Sequence, residues 1–291
     1  MMRASFAAPQ VVCRPALPGD TADILDFTRF IWEGHDYIPD VWAEWLANTD
    51  GLLAVAEYGK RTVGMARVVR LAPGQWWMEG FRVDPNYQGL RIGSHIHEYI
   101  DRWWLEHGDG IVRLMTSSQR VQVHHLCDRL GYLKIAEVQA LGAEALPGES
   151  NCLPLPPSAL PHLPERLQSA PTLTQTHGLI DLGWRFATPC AEVLEPFFSQ
   201  AGILEWQGGE GHLVTWVEQD EEPSLALGLV ACAWEALPTL LRAARALAAE
   251  RGVKRVTWLA PRLSQVLQAA EKAGFAPIWE NSGYLYQKAK G

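Results

Sequence analysis

Residues 77–94, which read WMEGFRVDPNYQGLRIGS, decide the fold of this chain. The aromatic and apolar run up to Val83 predicts a β-strand, Asp84-Pro85 ends it, and the glycines that follow open a helix. The first N–H groups of a helix have no partner inside the helix, and the helix dipole is positive at that end. A glycine turn lets an anion approach these groups closely, so the stretch favours a pyrophosphate site.

The sequence on either side of this stretch predicts alternating strands and helices. Two helices near the N-terminus precede an antiparallel meander, because turn residues separate three apolar runs. A long helix follows, and its apolar positions fall on one face. The predicted meander strands and long helix are 52–58, 62–71, 75–83 and 89–107, and a strand at 111–116, a helix at 121–130 and a strand at 134–141 come after them.

The second half of the chain partly repeats the first. It is predicted to begin with a strand at 179–186 and to end with a helix, a strand, a helix and a last strand. In both halves the last helix stops at a glycine followed by an aromatic residue, Gly131-Tyr132 and Gly274-Phe275. This correspondence indicates a duplication.

Prolines are dense between Pro147 and Pro171. Such a segment is typical of a semi-rigid linker rather than a packed element. The length of the chain also suits two domains. We therefore predict one domain over residues 1–142, a proline-rich linker over 143–177 and a second domain over 178–291.

The composition excludes several classes of protein. Lys and Arg number 25 against 33 Asp and Glu, and the net charge of −8 argues against non-specific nucleic-acid binding. The five cysteines are scattered without a CxxC pair, which indicates free thiols in a reducing cytoplasm. Residues 1–10 lack a signal-peptide pattern, and no apolar run is long enough to cross a membrane.

No histidine pair has the i, i+4 spacing of a helical metal site, so we expect no metal.

Residues 11–142 resemble the GNAT superfamily of N-acetyltransferases, whose motif A reads Gln/Arg-x-x-Gly-x-Gly/Ala. Gln88 and Gly93 match this motif, whereas Arg91 stands where the family has its first glycine. The resemblance implies an α/β fold of two tandem GNAT-like (acyl-CoA N-acyltransferase) domains, with mixed, mostly antiparallel sheets flanked by helices. The corresponding turn of the second half, residues 231–238, has no glycine and no Gln-x-x-Gly. The second domain is therefore expected to be a degenerate repeat.

The resemblance also implies acetyl-CoA as the co-substrate. Its pantetheine arm is expected to pair with the strand at Phe81, Arg82 and Val83, and its pyrophosphate is expected on the backbone amides of the turn that follows. An arginine in this turn can add a charge-assisted contact to a phosphate. The amides of the turn belong to Gln88, Gly89, Leu90, Arg91, Ile92, Gly93 and Ser94.

Glu79 is the predicted general base. An attacking amine must lose a proton because an ammonium has no lone pair, and a carboxylate on the strand beside the acetyl group can accept that proton. Strand alternation predicts that Glu79, Phe81 and Val83 lie on the same side. A second interpretation is that Glu79 only binds the charge of the substrate or pairs with an arginine.

Asp36 and Tyr37 lie between the first two helices, in a loop that covers the acceptor site in members of the family. We expect Asp36 to hold a cationic amine with Tyr37 stacked on it. The alternative is that Asp36 caps the helix that begins at Pro39. Many relatives place a Tyr as the general acid where this chain has Cys127, so the acid is not identified, and a buried, inert thiol is favoured for Cys127.

Together these residues predict an enzyme that moves the acetyl group of acetyl-CoA to the primary amine of a small molecule by direct attack. The runs 35–39 and 79–83 look like the branch that includes histidine N-acetyltransferases, so an amino acid is one candidate acceptor. Aminoglycosides and peptide N-termini are alternatives, and a non-catalytic sensor that binds acyl-CoA is an alternative of a different class. We expect a cytoplasmic monomer or homodimer without nucleic-acid or membrane partners.

Overall fold

The computed structural model describes residues 10–174, 177–219 and 222–290. These residues form two compact units, each built from strands and helices. Of the described residues, unit 1 contains 10–112, 126–131 and 288–290, and unit 2 contains 113–125 and 132–287. The prediction about a signal peptide falls almost entirely on residues 1–9, which lie outside the described residues.

Unit 1 contains the predicted meander. Its elements are β1 (Val12–Pro15), α1 (Thr21–Thr28), α2 (Ile38–Ala47), β2 (Gly51–Tyr58), β3 (Arg61–Ala72), β4 (Gln75–Val83) and α3 (Ile92–His107). The strands are hydrogen-bonded in the order β1-β2-β3-β4, and every neighbouring pair is antiparallel. Gly59 and Gly74 reverse the chain between the strands with φ angles of 59° and 69°, which glycine adopts without steric cost.

The sheet of unit 1 carries helices on both faces, because neighbouring strand residues point in opposite directions. Val55 and Met65 pack against α1 and α2 in one buried cluster with Trp42 and Trp45. Gly64, next to Met65, faces α3 so closely that a Cβ there would lie 2.9 Å from Ile92 Cγ2. The face that α3 buries repeats every fourth residue, as expected of an amphipathic helix; it consists of Ile92, Ile96, Ile100 and Trp104.

The end of the chain belongs to unit 1. Lys288 Nζ lies 2.8 Å and 2.9 Å from the two carboxylate oxygens of Asp101 on α3. Lys290 donates its backbone N–H to Gly110 O at 2.8 Å and its Nζ to Gly108 O at 2.6 Å. Gly108 O lies just beyond the C-terminus of α3, where a positive charge is favoured by the helix dipole.

Three elements are divided between the units. These are β5 (Ile111–Ser117), of which Ile111 and Val112 count with unit 1, α4 (Val121–Arg129), whose last residues from Leu126 onward do so, and the last strand, Gly283–Ala289, whose final two residues do so. Within unit 1, Ile111 N donates to Gly74 O at 2.9 Å, which joins the start of β5 to the turn before β4.

Unit 2 is built on a mixed sheet with helices. Its further elements are β6 (Leu133–Glu144), β7 (Cys152–Pro154), α5 (Leu163–Ser169), α6 (Pro171–Thr174), β8 (Ile180–Asp181), β9 (Phe186–Ala187), α7 (Ala191–Phe198), β10 (Ile203–Trp206), β11 (Gly211–Glu218), β12 (Ser224–Cys232), α8 (Leu237–Glu250), β13 (Arg255–Pro261), α9 (Ser264–Lys272), β14 (Ala276–Pro277) and β15 (Gly283–Ala289). The sheet order is β5-β15-β6-β13-β12-β11-β10-β7. The β12–β13 pair is parallel, whereas β13–β6 and β11–β12 are antiparallel.

The proline-rich segment is not the unpacked linker that the composition predicted. Leu163 and Leu167 on α5 and Leu173 on α6 are buried within unit 2, and Leu155 N donates to Ile203 O at 2.9 Å. Pro164 and Pro171 are compatible with this packing because they stand in the first turns of α5 and α6, where a missing N–H costs nothing. The domain limits at residues 142 and 178 stay predictions.

The strand predicted over 179–186 is also wrong. The chain forms a small hairpin instead, in which Ile180 pairs with Ala187 and Asp181 with Phe186. Asp181 Oδ1 accepts a hydrogen bond from Trp184 N at 2.7 Å, which closes the turn between the two short strands. Such a side-chain turn competes with a continuous strand and interrupts it.

The repeated glycines end their helices in the same way. Gly131 follows α4 with a φ of 80°, and Gly274 follows α9 with a φ of 84°. A left-handed residue at this position lets the chain leave the helix, and the next residue can then turn inward. Tyr132 and Phe275 are accordingly both buried. The local agreement supports the α/β architecture of two tandem GNAT-like repeats.

No helix within the described ranges is long and apolar enough to span a membrane. The five cysteines are all free thiols.

Candidate active site

The turn after β4 is built by Asp84. Its backbone N–H donates to the O atom of Val63 on β3 at 2.8 Å, so the backbone of Asp84 is still bonded to the sheet. Its side-chain Oδ1 accepts a hydrogen bond from Asn86 N at 2.9 Å. Asp84 therefore ends the strand and starts a 3₁₀ turn over Pro85–Tyr87. Gly89 follows with a φ of 85° and leaves the backbone of this turn exposed.

The helix α3 opens without a side-chain cap. Its N-cap residue is Arg91, which makes no capping hydrogen bond, and the first intrahelical bond runs from His95 N to Arg91 O at 3.0 Å. The N–H groups of Ile92, Gly93 and Ser94 thus have no partner within the helix, as expected for its first turn. These amides and the positive end of the helix dipole make the turn suitable for an anion.

Arg91, which stands where the family motif has a glycine, adopts a backbone conformation that glycine reaches without steric cost. Its φ and ψ are 57° and 22°, in the left-handed region, which costs a residue with a Cβ about 1–2 kcal/mol. The turn is therefore strained at Arg91. Strained residues of this kind are concentrated at functional sites.

A β-bulge at Gly80 changes the predicted faces of β4. Arg67 pairs with Glu79 and Met65 with Arg82, so Ala66 lies opposite both Gly80 and Phe81. Gly80 has a φ of 68°, and a Cβ at this position would lie 2.5 Å from Trp45 Cζ3. A residue other than glycine fits neither the conformation nor the space.

The bulge places Glu79 and Phe81 on opposite faces, so the prediction that they share one side is wrong. The Phe81 ring lies 4.8 Å from the ring of His97 on α3. Glu79 instead pairs with Arg67, whose guanidinium lies 4.8 Å over the ring of Trp45 on α2. Val83 lies on the α3 face, as Phe81 does, because a Cβ on Gly93 would lie 3.8 Å from Val83 Cγ2.

Glu79 forms a buried ion pair, which is one of the two interpretations that its sequence position left open. Its Oε1 lies 3.2 Å from Arg67 Nη1, and the side chains are 10% and 5% exposed. The pair fixes the direction of the carboxylate on the face that also carries Trp45. Arg67 is not among the residues predicted for the site, although an arginine between apolar residues of a buried strand is a signal for a charged partner.

Asp36 is engaged on both oxygens. Oδ2 accepts from Arg82 Nε at 2.7 Å, and Oδ1 accepts from Arg82 Nη2 at 2.9 Å and from Ile38 N at 3.2 Å. By accepting the hydrogen bond from Ile38 N, Asp36 stabilises the first turn of α2, which agrees with the alternative that Asp36 caps this helix. Its side chain is 1% exposed, so a substrate amine reaches it only if this arrangement opens.

Arg82 is surrounded by aromatic rings. Its guanidinium carbon lies 4.2 Å from the ring centre of Trp32 and 5.2 Å from that of Tyr37. Burial raises the pKa of the Tyr37 hydroxyl, with a smaller upward contribution from the charge of Glu79. Tyr37 is still 40% exposed and Trp32 49% exposed, so both rings also face solvent. The two rings, Trp45, the Arg67–Glu79 pair and the Arg82–Asp36 pair form what we call the acceptor cluster.

The loop that carries Trp32 is strained. Trp32, Glu33 and Gly34 have successive φ angles of 49°, 58° and 93°. Two consecutive residues with a Cβ in the left-handed region are unfavourable and persist only where surrounding contacts hold them. The Arg82 contact with Trp32 is one such contact. Trp and Glu are not turn-forming residue types, so Trp32 is not among the residues predicted for the site.

Cys127 is buried, and burial raises the pKa of its thiol to about 12, with a further contribution from Asp128. The thiol is therefore protonated at neutral pH and a weak proton donor. This agrees with an inert core cysteine. Within the described residues, no group of three or more His, Cys, Asp or Glu side chains is arranged to hold a metal ion.

The end of β12 in unit 2 differs from the end of β4. Cys232 N donates to Thr172 Oγ1 at 2.9 Å, and the same hydroxyl lies 3.1 Å from the carbonyl oxygens of Val230 and Cys232. The Thr172 hydroxyl thus forms hydrogen bonds with the backbone groups of β12 near the end of this strand. In unit 1 the corresponding residues Phe81–Val83 are those predicted to pair with pantetheine.

Comparison with known proteins gives the same family for the N-terminal part of the chain. Residues 21–132 match the model of the acetyltransferase (GNAT) family. No curated protein matches the sequence.

Solved structures match nearly the whole chain in fold. A GCN5-related N-acetyltransferase from Sphaerobacter thermophilus is 12% identical with a TM-score of 0.66, and the match covers 97% of this chain and 96% of that chain. A tandem GNAT protein from the clavulanic acid biosynthesis pathway is 12% identical with a TM-score of 0.60, over 97% and 99%. The glucosamine N-acetyltransferase region of a fungal multi-domain GH3 β-N-acetylglucosaminidase is 13% identical with a TM-score of 0.70, over 98% of this chain and 39% of that chain. At such identities the likeness concerns the fold.

Proposed function

Residues 21–132 are a domain of the acetyltransferase (GNAT) family, and from this premise we propose that the chain transfers the acetyl group of acetyl-CoA to the primary amine of a small molecule. Members of this family are acyltransferases that use acetyl-CoA as co-substrate. The observation that carries the proposal for this chain is the uncapped start of α3 directly after β4.

The turn is the proposed pyrophosphate site. The amides of Ile92, Gly93 and Ser94 have no helical partner, and residues 88–91 are exposed, so an anion can reach them from solvent. Positive φ angles at Gly89 and Arg91 bend the backbone around this point. The Arg91 guanidinium adds a positive charge for the phosphates, which favours a dianionic group over a neutral one. The amides of Gln88–Ser94 are thus the proposed contacts of the pyrophosphate, and the backbone of Phe81–Val83 is the proposed partner of pantetheine.

Glu79 is the proposed general base. Because of the bulge, its carboxylate lies on the face that carries Trp45 and Tyr37, away from the face that packs on α3. An amine bound beside these rings would lose its proton to Glu79 and then attack the thioester carbonyl carbon. The carbon–sulfur bond breaks with its electron pair going to sulfur, and the released thiolate takes the second proton from the nitrogen, so the products are the amide and the thiol of CoA. Arg67 holds the carboxylate in place during proton transfer.

The acceptor cluster is the proposed amine site. Aromatic rings of Trp32, Tyr37 and Trp45 attract a cationic or amphipathic amine, and the strained loop at Trp32 gives the site a segment that can adjust. Asp36 is a proposed amine ligand only if its pair with Arg82 opens. The fold likeness does not choose between an amino acid, an amino sugar or aminoglycoside, and a peptide N-terminus.

A non-catalytic acyl-CoA sensor is the second candidate, favoured by Arg91 in the family's glycine position and by Cys127 in the place of a tyrosine. Unit 2 is proposed to bind no CoA, since Thr172 occupies the end of β12. The free cysteines fit a protein of a reducing compartment such as the cytoplasm.

The experiment is a measurement of thiol release from acetyl-CoA across a panel of amines, together with calorimetric binding of acetyl-CoA. The panel contains the common amino acids, glucosamine, an aminoglycoside and a short peptide. Saturable thiol release with an acetylated product found by mass spectrometry supports the enzyme. Binding of acetyl-CoA without turnover on any amine supports the sensor, and absence of acetyl-CoA binding contradicts both.

A further inference from the structure

Unit 2 contains a cavity that the proposed transfer reaction does not use. Its volume is about 220 Å³. A cavity of about 150 Å³ already holds a benzene molecule, so this one has room for an aromatic ring with a short chain. Its lining residues belong to unit 2 and come from β6, β11 to β13, the β8–β9 turn and residues 278–279. The residues of the acceptor cluster, in contrast, belong to unit 1.

The Arg255 guanidinium is weakly engaged in this cavity. Strand alternation places Arg255 and Thr257 on the same face of β13, and both line the cavity. Arg255 Nε is buried and has no hydrogen-bond partner among the described residues. Arg255 Nη1 lies 3.6 Å from Oε2 of Glu222, which is too long for a hydrogen bond, and the Glu222 side chain is 81% exposed. Such a surface ion pair contributes little, so the guanidinium keeps donors for a ligand.

The two carboxyl groups farther inside already have partners within the protein. Asp181 Oδ1 accepts from Trp184 N at 2.7 Å, and burial raises the pKa of Asp181 to about 7, so this side chain is largely uncharged in mildly acidic solution. Glu218 Oε2 lies 3.3 Å from Ser224 Oγ and 3.4 Å from Thr257 Oγ1, and both hydroxyls can donate to it. The group that lacks an acceptor is therefore Arg255 Nε, and a ligand that supplies one would fit this cavity.

Exposed tryptophan rings stand at the cavity. Trp184 and Trp279 stack with their centres 4.7 Å apart and their planes 19° apart, although they are 42% and 49% exposed. Trp184 also has a φ of 66°, and strained residues of this kind are concentrated at functional sites. Large exposed aromatic side chains grouped at a cavity often mark a binding site. The two rings thus provide an apolar wall for a ligand.

Residues 278–279 bring this wall close to the guanidinium. A Cβ on Gly142 of β6 would lie 2.7 Å from Ile278 Cγ2 and 3.7 Å from Arg255 Nη2, so both side chains pass over the same point of the sheet. Gln139 Nε2 donates to Trp279 O at 2.7 Å, which ties the segment to β6. A ligand ring can therefore lie against the tryptophans while a polar group on a short chain reaches Arg255.

We propose that this cavity of unit 2 binds a small aromatic carboxylate, of about the size of 3-phenylpropanoate, with its carboxylate on Arg255 and its ring against Trp184 and Trp279. A guanidinium can donate two parallel hydrogen bonds to a carboxylate, which would give Nε its acceptor. The ring gains apolar contact with the indoles. The proposal does not depend on acetyl transfer. A neutral amide of the same shape would keep the ring contacts and lose the charge-assisted bonds, so an experiment can separate the two contributions.

The test is calorimetric titration of the full chain at about pH 6, where Asp181 is protonated, with three compounds that share one ring and one chain length. The anion is 3-phenylpropanoate, its neutral analogue is 3-phenylpropanamide, and the cation is 3-phenylpropylammonium. We expect the anion to bind with a dissociation constant about ten-fold or more below that of the amide, and the cation to bind more weakly than both. Equal binding of anion and amide, no binding of the anion, or tighter binding of the cation would overturn the proposal.

Variants locate the site. Arg255→Gln removes the charge and should reduce the affinity for the anion to that for the amide, while the affinity for the amide changes by less than about two-fold. Trp279→Leu removes one ring and should weaken both compounds about five-fold or more without changing their ratio. The control is Lys272→Gln, an equal change of charge at an exposed position of α9, which should bind both compounds as the parent does.

Circular dichroism shows whether each variant folds. Because the two site variants alter different walls of the cavity, one remains informative if the other is unfolded. A folded Arg255→Gln variant that still prefers the anion contradicts the assignment of the carboxylate to Arg255. A folded Trp279→Leu variant with unchanged affinities contradicts the assignment of the ring.

Discussion

The Arg82 guanidinium holds the Asp36 carboxylate through two hydrogen bonds, from Nε to Oδ2 at 2.7 Å and from Nη2 to Oδ1 at 2.9 Å. The two side chains are 9% and 1% exposed, so the pair is shielded from solvent. It connects the loop before α2 to β4, because Asp36 also accepts from Ile38 N. The shape of the acceptor cluster therefore depends on this pair.

Asp36→Asn is expected to destabilise the protein. The amide can still accept from Ile38 N, but it leaves the buried Arg82 charge without its counter-ion, which costs about 3 kcal/mol in the free energy of unfolding. Urea unfolding followed by tryptophan fluorescence measures the loss. The control Asp40→Asn, exposed in the first turn of α2, should cost at most about 1 kcal/mol. Equal losses for the two variants would contradict a structural role for the pair.

Two glycine substitutions separate backbone strain from steric overlap. Gly80 and Gly89 have similar φ angles of 68° and 85°, but a Cβ at Gly80 would lie 2.5 Å from Trp45, whereas nothing lies within 4 Å at Gly89. Gly89→Ala should therefore lose about 1 kcal/mol from conformation alone. Gly80→Ala should lose an additional 1–3 kcal/mol, roughly, from overpacking. Urea unfolding of both variants gives the comparison, and a smaller loss at Gly80 would argue against the bulge.

Glu79→Gln is expected to lower kcat about a hundred-fold or more, because the amide cannot accept the proton of the amine. The affinity for acetyl-CoA should stay within about two-fold, since Glu79 lies away from the turn at α3. The measurement is thiol release with the best amine of the panel, alongside calorimetric binding. Glu44→Gln, an exposed change on α2, is the control. Near-normal kcat in Glu79→Gln would remove the assignment of the base.

Arg91→Gly tests the charged residue in the proposed pyrophosphate turn. Relief of left-handed strain and greater freedom of the unfolded chain oppose each other, so the free energy of unfolding should change by less than about 1 kcal/mol. Loss of the guanidinium should weaken acetyl-CoA binding about ten-fold at low salt and less at high salt. Arg102→Ala, exposed on α3, provides the control. If the variant and the parent bind acetyl-CoA equally well at both low and high salt, Arg91 contacts no phosphate.

Asp181 should make stability depend on pH. Its pKa is raised from 3.8 to about 7 in the folded protein, mainly by burial, so the folded state keeps a proton that the unfolded state releases. The stabilisation is complete below about pH 4 and is lost as pH rises toward 7, by about 1.4 kcal/mol per pH unit. Asp181→Asn keeps the acceptor for Trp184 N and should remove this slope. Urea unfolding at about pH 5 and pH 7 measures it, and parallel changes in both proteins would contradict the prediction.

Much of unit 1 is predictable from the sequence because its elements are determined by neighbouring residues along the chain. The apolar runs and their turn residues define the meander, and the spacing of Ile92, Ile96, Ile100 and Trp104 defines α3 and its buried face. Asp84-Pro85 and the glycines after it correctly predict a turn between β4 and α3.

The acceptor cluster was less predictable because it depends on pairing across strands. Simple alternation put Glu79 beside Phe81, and only the register with Arg67 reveals the bulge that separates them. A glycine inside a strand pattern was the available signal. In unit 2, proline content suggested a linker because composition does not reveal that Leu163 and Leu167 find a core.

The return of Lys288 and Lys290 to α3 has a consequence for how the protein is made. The ribosome synthesises residues 10–112 well before Lys288, because 187 positions separate Asp101 from Lys288. Asp101 acquires its lysine counter-charge, and the carbonyl groups of Gly108 and Gly110 their donors, only after the residues of unit 2 have been made. These contacts of unit 1 therefore form after most of unit 2 has left the ribosome.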